Sequence, residues 1–190
     1  MVSNSEFLTD PGQDQLHPQL QLENSPGQGN EIGLLCELHL RFYLPSGQEF
    51  AFPATGVREV IEVSPDRITQ IPNTSPLLLG TLNLRGRLIW VADLGQFLGE
   101  TTPLNTDCSE IPIIVIEDQD MILGLAVAEL SGIDWLYQEH IVPLNHVPDH
   151  QAEFLRGAYV FDIEKDIEKE KKYLQLLDQV AILQSARWSE

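Results

Sequence analysis

Residues 80–94 read GTLNLRGRLIWVADL and place two apolar segments on either side of one glycine, Gly86. In the first segment, Leu82 and Leu84 can share one face of a β-strand while Asn83 faces the opposite side. Gly86 carries no Cβ and therefore tolerates the positive φ that a tight chain reversal requires. The stretch predicts a β-hairpin whose two strands return into a hydrophobic core.

Two arginines flank this glycine and allow two interpretations. Arg85 and Arg87 present guanidinium groups at the predicted hairpin tip. In one interpretation they form ion pairs with acidic groups of the same chain. In the other, Arg85 anchors a carboxylate or backbone carbonyl of a partner through the paired donors that a guanidinium offers. The residue pattern alone leaves both interpretations open.

The rest of the chain shows short segments typical of β-strands, separated by turn residues. Alternating apolar and polar residues indicate a half-buried strand at 34–44, and EDQD at 117–120 indicates a hairpin loop. Residues 173–183 are predicted to form a closing strand or a strand pair. The pattern requires no long helix, so we expect an all-β fold of small barrels with few short helices. Further strands are predicted at 50–53, 57–63, 87–94, 111–117 and 121–130.

A weak internal repeat relates the two halves of this β-rich region. Phe50 and Phe52 recur as Leu123 and Leu125, at an offset of 73 positions. A constant offset over about 20 residues favours duplication and predicts two similar β sub-domains of about 70 residues each. A groove between two such sub-domains is a favoured place for binding. The same offset relates Val57, Val60, Val63 and Ile68 to Leu130, Ile133, Leu136 and Ile141, and looser matches relate Gly80 to Gly157 and Asp93 to Asp178.

The charge of the chain is strongly negative and unevenly distributed. The formal net charge is −18 at pH 7. Residues 88–155 contain twelve acidic residues and no lysine or arginine, whereas residues 41–87 contain five arginines and four acids. Binding of nucleic acid requires clustered cations, and an anionic membrane surface repels acidic chains. We therefore expect no nucleic-acid partner and no direct membrane insertion.

The beginning of the chain differs in composition from the rest. Residues 1–32 are rich in Gln, Asn, Ser, Pro and Gly and are predicted to form a disordered polar leader. The first residues lack the basic and apolar regions of a signal peptide, and no segment reaches the roughly 18 apolar residues of a transmembrane helix. We expect a cytoplasmic protein with free thiols at Cys36 and Cys108, a folded domain at 33–184 and a tail at 185–190.

Catalytic and metal-binding motifs are missing from the sequence. It contains no nucleophile elbow and no phosphate-binding loop. His140, His146 and His150 lack the convergent spacing of a zinc site and are interpreted as loop histidines. Asp93 is interpreted as a strand-end carboxylate that caps a turn or pairs with an arginine, in preference to an acid–base catalyst. We therefore expect no enzymatic activity, no metal and no cofactor.

Three segments of the sequence form a recognisable pattern. They are VREVI at 57–61, Ile68 with Ile71 and Pro72, and LLLGTLNLRGRLIWVADL at 77–94. Together they resemble the CheW-like family, and a further segment in the second half, LGLAVAEL at 123–130, also resembles it. The resemblance covers about residues 33–184 and implies two SH3-like, five-stranded β-barrel sub-domains, which agrees with the repeat.

The resemblance also implies a function and a set of partner contacts. It implies a non-enzymatic adaptor that couples the cytoplasmic tip of a methyl-accepting chemoreceptor to the regulatory domain of a CheA-type histidine kinase. One surface would pair with that regulatory domain, and the groove between the barrels would receive a receptor helix. Asp93 matches a position with a structural role. The partner-binding residues carried over by the motif are Val57, Glu59, Val60 and Ile61 on the first barrel and Asn83, Arg85, Gly86 and Arg87 at the hairpin.

Three features depart from the family pattern. They are the polar leader, the charged segment EKDIEKEKK at 164–172, which is interpreted as a loop or hairpin extension, and Trp90, where the family often has proline. Such additions suit a type IV pilus pathway for twitching or phototaxis, the PilI-like branch, instead of a flagellar one. We expect a monomer when the chain is isolated. The alternative function is a small-molecule-binding regulatory β-barrel without kinase coupling.

Overall fold

The structure, a computed structural model, describes residues 35–144, 147–164 and 169–189. These residues form eleven strands and a few short helices. The predicted leader at 1–32 lies outside the described residues. The strands are β1 (Cys36–Tyr43), β2 (Glu49–Pro53), β3 (Val57–Val63), β4 (Leu78–Leu84), β5 (Arg87–Asp93), β6 (Ile111–Asp118), β7 (Met121–Ala126), β8 (Glu129–Tyr137), β9 (Ile141–Val142), β10 (Leu155–Glu164) and β11 (Lys169–Leu177). The α-helices are α1 (Leu94–Phe97), α2 (Asp149–Ala152) and α3 (Gln179–Leu183).

The strands form two mixed sheets. Sheet A has the order β8-β1-β2-β11-β10-β9, and sheet B has the order β3-β6-β7-β5-β4. The prediction of an all-β fold with two β sub-domains is confirmed. Sheet B has the five strands expected of each sub-domain, whereas sheet A has six because the two-residue strand β9 pairs with β10. Of the charged segment 164–172, residue 164 ends β10 and residues 169–172 begin β11, and Glu164 lies opposite Lys169 in the strand register; residues 165–168 lie outside the described ranges.

The internal repeat of the sequence corresponds to a repeated order of elements. The two glycines that the repeat matched loosely, Gly80 in β4 and Gly157 in β10, have φ values of +147° and +150°. At both positions another strand segment approaches closely, because an added Cβ would lie 2.3 Å from the oxygen of Thr69 and 2.9 Å from the oxygen of Val142, respectively. The two glycines are therefore structural equivalents, as the repeat predicted.

The two copies of the repeat exchange their third strands. Strand β3 of the first copy pairs with β6 of the second, and β8 of the second copy pairs with β1 of the first. Each sheet thus contains one strand from the other half of the chain. The two sub-domains are therefore interleaved along the chain, and neither is one continuous half of the sequence.

The two sheets meet at a packed core. A central core of buried side chains draws on both sheets and includes Phe42 and Phe52 from sheet A and Ile114 and Leu125 from sheet B. Two smaller clusters fill the interiors of sheet B and sheet A, respectively.

Strand β6 shows why some strands are apolar throughout. Ile113 and Val115 pack into the interior of sheet B, whereas Ile114 and Ile116 pack into the central core. Successive side chains of a strand point to opposite faces, so a strand buried on both faces has an uninterrupted apolar sequence. The continuous run IPIIVIE therefore marks the strand that lies between two cores.

The chain after β11 differs from the prediction. Strand β11 ends at Leu177, and a carboxylate oxygen of Asp178 accepts hydrogen bonds from the backbone N–H groups of Val180 and Ala181. Asp178 thereby caps α3 at its N-terminus, so residues 173–183 form a strand and a short helix in place of a strand pair. The residues that follow α3 form a 3₁₀ turn, Ala186–Ser189, within the segment predicted as a tail.

Asp93 occupies the equivalent position in the first copy of the repeat. Its side chain is buried and accepts a hydrogen bond of 3.0 Å from the backbone N–H of Gln96, which caps α1. The interpretation of Asp93 as a structural, turn-capping carboxylate is therefore confirmed.

Candidate partner-binding surface at the β4–β5 hairpin

The hairpin between β4 and β5 has a two-residue turn. Arg85 has a φ of +49° and Gly86 a φ of +87°, which is the left-handed pair of conformations of a type I′ turn. The side-chain oxygen of Asn83 accepts a hydrogen bond of 2.9 Å from the backbone N–H of Gly86. The predicted reversal at Gly86 is therefore confirmed, and the Asn83 side chain stabilises the turn through this hydrogen bond.

Arg85 forms an ion pair with Glu59. Its Nη2 atom lies 2.9 Å from Oε2 of Glu59. The side chain of Arg85 is 81% exposed, whereas that of Glu59 is only 17% exposed. Glu59 therefore binds one terminal nitrogen of the Arg85 guanidinium. The remaining N–H groups of this exposed side chain stay accessible to a partner.

Further charges extend this pair into a network of alternating sign. Arg58 donates two hydrogen bonds, of 2.9 and 2.8 Å, to the carboxylate of Glu117, and its Nε lies 3.8 Å from Glu59. Nη1 of Arg87 lies 3.5 Å from Glu117. We call Arg58, Glu59, Arg85, Arg87 and Glu117 the hairpin network. Both interpretations of the arginines thus have a basis, since the arginines pair within the chain and Arg85 also remains exposed.

Two members of the hairpin network were missed by the sequence analysis. Arg58 lies within the VREVI segment, next to Glu59, and Glu117 begins the EDQD turn. Glu117 precedes the β6–β7 turn, whose Asp120 carbonyl oxygen accepts a hydrogen bond of 3.3 Å from Arg87. Local sequence carries no signal for this contact, because Arg87 and Asp120 lie on different hairpins that only the sheet brings together.

The apolar residues predicted for partner binding lie on two faces of β3. Val57 and Val60 lie opposite Ile116 and Ile114, whose side chains belong to the central core, and Val60 is exposed at its margin. Ile61 packs against the interior of sheet B. The structure therefore gathers Glu59 and the hairpin residues on one surface and places Val57 and Val60 on the other face of the strand.

The exchanged strand β8 carries an apolar row that the sequence analysis did not single out as a site. Ile133, Trp135 and Tyr137 are all exposed and alternate along the strand, so they share one face. Leu38 of the neighbouring strand lies opposite Trp135. By the repeat offset, Ile133 is equivalent to Val60. The alternation of residues in IDWLY could have indicated this surface from the sequence, because large exposed apolar residues on one face of an edge strand are typical of protein-binding sites.

Neither a cluster of metal-binding side chains nor a membrane-spanning helix occurs among the described residues. Among them, no three or more His, Cys, Asp or Glu side chains converge as a metal site requires. His140 is instead a hydrogen-bond neighbour of the Tyr159 hydroxyl, at 3.1 Å, and His146 lies outside the described residues. None of the described helices has the length and apolar character needed to cross a membrane.

Comparison with known proteins places this geometry in a family. The model of the CheW-like domain matches residues 39–187. The chain is 34% identical to Protein PilI of Pseudomonas aeruginosa over 103 residues, which cover 52% of this chain and 55% of PilI. It is 26% identical to Chemotaxis protein CheW of Bacillus subtilis over 141 residues, which cover 74% of this chain and 83% of that protein.

A solved structure has a similar fold. The crystal structure of the scaffolding protein TtCheW from Thermoanaerobacter tengcongensis aligns with a TM-score of 0.64 and 22% sequence identity. The alignment covers 82% of this chain and 98% of TtCheW. The family match spans most of the chain, including both exchanged strands and the hairpin. This chain belongs to the CheW-like domain family.

Proposed function

We propose that this chain is a non-enzymatic adaptor that couples a methyl-accepting chemoreceptor to a CheA-type histidine kinase in two-component signalling. Membership of the CheW-like family supports this function, as do relatives named for chemotaxis and a structural neighbour described as a scaffolding protein. The observation that carries the proposal is the hairpin network, which presents Arg85 on a rigid turn with Glu59 beneath it.

The kinase contact is assigned to the hairpin network. The tight turn restricts the backbone at Arg85, so its guanidinium loses little conformational freedom when it binds a carboxylate or backbone carbonyl. The alternating charges of the network provide orientation and exclude partners whose charges do not match. Asn83, Arg85, Gly86, Arg87 and Glu59 thus form the surface that would bind the kinase regulatory domain.

The receptor contact is assigned to the apolar side chains of the exchanged strands. The row of Ile133, Trp135 and Tyr137 on β8 would accept apolar anchors spaced along a receptor helix. Val57 and Val60, on the equivalent strand β3, would extend this surface at the margin of the central core. Large aromatic side chains such as Trp135 contribute most of the affinity in such interfaces.

A titration against CheA-type regulatory domains from the same organism tests the kinase contact. Arg85→Ala and Glu59→Ala should each weaken binding by about 5- to 100-fold, or roughly 1–3 kcal/mol. Arg67→Ala is the matched control, because Arg67 is also an exposed arginine but lies in a 3₁₀ turn outside the hairpin network. Equal binding by all four proteins would reject the hairpin as the contact, and no binding by the parent chain would reject the coupling function.

A second titration tests the receptor contact. It uses a receptor cytoplasmic tip as an isolated helical hairpin and compares Trp135→Ala with Tyr173→Ala, which removes an exposed aromatic side chain from β11. We expect at least tenfold weaker binding for Trp135→Ala and no change for Tyr173→Ala. The reverse order, or equal loss in both variants, would place the receptor elsewhere.

The proposal also concerns which kind of motility the signalling pathway controls. The 34% identity to PilI over about half of each chain supports a type IV pilus pathway, such as twitching motility or phototaxis. The match to chemotaxis proteins named CheW supports a flagellar pathway. Deletion of the gene in its own organism, followed by separate assays of surface motility and swimming, distinguishes the two outputs.

A further inference from the structure

A cavity of about 670 Å³ opens at the margin of the central core. Its lining comes from β4, β5 and β7 of sheet B, from the turns that precede β4 and β7, and from α3 with the segment that follows it. The volume lies within the range of ligand pockets and exceeds that of a single side chain. Six of the lining residues matter here, and they are Leu78, Trp90, Asp120, Met121, Leu123 and Trp188.

Trp90 and Met121 form the outer wall of this cavity and remain accessible. Trp90 is 39% exposed and Met121 is 41% exposed, although both are large apolar residues. Trp90 lies on the opposite face of β5 from Ile89 and Val91, which pack inside sheet B. It lies opposite Leu123 of β7 in the parallel β5–β7 pair, so both side chains contribute to the same face of the sheet. The strand therefore fixes the direction of Trp90, whose side chain cannot turn into the interior of sheet B.

Trp188 forms the facing wall and is held rigidly. Its ring stacks on Phe97 with centroids 4.2 Å apart and planes inclined by 14°. Its indole N–H donates a hydrogen bond of 2.7 Å to the carbonyl oxygen of Ile182. The indole polar group is thus already satisfied, and the ring offers a preorganised apolar surface to any occupant.

The charge at the cavity is negative. Among the described residues that line it, Asp120 is the only ionised one, and the segment 88–155, which supplies Trp90 and residues 120–123, contains no lysine or arginine. Arg87 of β5 lies on the other face of the strand from Trp90; its guanidinium donates a hydrogen bond of 3.3 Å to the backbone carbonyl of Asp120 and pairs with Glu117, so the Asp120 carboxylate is not its partner. Aromatic rings beside a carboxylate favour a cation next to an apolar group.

We propose that this cavity binds a basic peptide segment, with one large apolar side chain inserted between Trp90 and Trp188 and a flanking Lys or Arg beside Asp120. The thioether of Met121 adapts to the shape of such an anchor. Because Trp90 and Arg87 face opposite sides of β5, the apolar anchor would lie on the other side of the strand from the kinase contact assigned to the hairpin network. The cavity would thus add a third partner-binding site to the kinase and receptor contacts proposed above.

Intrinsic fluorescence tests the site in a Trp135→Phe background. The chain has three tryptophans, so this background leaves only the two in the cavity. The probe is a tryptophan-free, Lys-flanked helical peptide with a single Phe anchor. Comparison peptides carry Ala in place of Phe, or Glu in place of each Lys. We expect a shift of the emission maximum and micromolar binding only for the Lys-flanked peptide with Phe, with affinity that falls as salt is raised.

Variants of the cavity complete the test. Trp90→Ala should weaken the peptide at least tenfold, and Asp120→Asn should weaken it about threefold while reducing the salt dependence. Met121→Ala serves as a second cavity variant should Trp90→Ala lower stability, and Tyr173→Ala is the exposed aromatic control. Equal binding of the Glu-flanked peptide, no binding at millimolar concentration, or full binding by Trp90→Ala would overturn the proposal. Kinase-domain binding by Trp90→Ala should be unchanged, which separates this test from that of the proposed function.

Discussion

Glu59 and Arg85 are 26 positions apart in the sequence, yet their side chains form an ion pair at 2.9 Å between the exchanged strand β3 and the tip of the β4–β5 hairpin. Strand β3 reaches sheet B only because it pairs with β6 of the second repeat copy. The strand exchange thus brings together the two motifs that the sequence analysis carried over separately, VREVI and NLRG. The pair joins a mostly buried carboxylate to an exposed guanidinium. Such a pair is better suited to binding a partner than to stabilising the fold.

The first prediction concerns this difference between recognition and stability. Arg85→Ala should change the free energy of unfolding by less than about 1 kcal/mol, because solvent screens a pair whose arginine is so exposed. Denaturant unfolding of the parent and variant measures this change. In the kinase-domain titration, a double-mutant cycle with Glu59→Ala should give a coupling energy of about 1 kcal/mol or more. A loss of stability above about 2 kcal/mol would instead identify Arg85 as a structural residue.

The second prediction concerns Glu49, a buried carboxylate in sheet A. Its Oε1 lies 2.5 Å from Nη2 of Arg41, and its Oε2 lies 2.7 Å from Nζ of Lys172. Burial alone raises the pKa of the Glu49 carboxyl, but hydrogen bonds from these two cations and the Ser131 hydroxyl outweigh burial and lower the pKa below its usual 4.5. The ionised carboxylate is therefore the form that the folded state prefers.

This preference fixes the pH dependence of stability. A lowered pKa in the folded state contributes stability that is complete above about pH 4.5 and is lost as the pH falls through the folded-state value. Glu49→Gln should lower the free energy of unfolding by about 2–4 kcal/mol at pH 7, and its stability should change less between pH 5 and pH 3. The exposed Glu62→Gln is the control, and an unchanged acid profile in Glu49→Gln would contradict the prediction.

The third prediction concerns the two capping aspartates. Asp178→Ala and Asp93→Ala should each cost about 1 kcal/mol, since each leaves N-terminal N–H groups of a short helix without their acceptor. Asp178 also receives a hydrogen bond of 3.1 Å from Arg156. Asp178→Asn should therefore be milder than Asp178→Ala, because asparagine retains the cap and loses only the ion pair. Thermal unfolding measures the order, and Asp107→Ala in an exposed loop should have no effect.

The sequence predicts most of the local structure because local structure depends on neighbouring residues. Alternation and turn residues predicted the β4–β5 reversal at Gly86, and the position of Asp93 at a strand end predicted its capping role. The helix α3 was missed because its five residues are as apolar as the strand before it, and only the hydrogen bonds of Asp178 distinguish them. A periodic pattern cannot separate a short buried helix from a short buried strand.

The strand exchange could not be predicted from the repeat. Equivalent strands have similar apolar patterns. Strand β3 could therefore pair with β6 as well as with β1, and the sequence pattern does not indicate which of the two it joins. The hairpin network depends on that choice, since Glu59 reaches Arg85 only from sheet B. This is why the site residues could be named from the motifs but their mutual contacts could not.

The last prediction tests the close approaches that both repeat copies share. Gly80→Ala should lower the free energy of unfolding by about 3 kcal/mol, because the new Cβ would meet the Thr69 carbonyl at 2.3 Å in a backbone conformation that alanine rarely adopts. Gly132→Ala is the matched control, since Gly132 has a φ of +145° but open space around it, and it should cost only about 1 kcal/mol. Gly157→Ala, whose Cβ would lie 2.9 Å from the Val142 oxygen, should fall between the two. Denaturant unfolding of the three variants measures this order, and equal losses would show that backbone strain, and not the close approach of strands, accounts for these glycines.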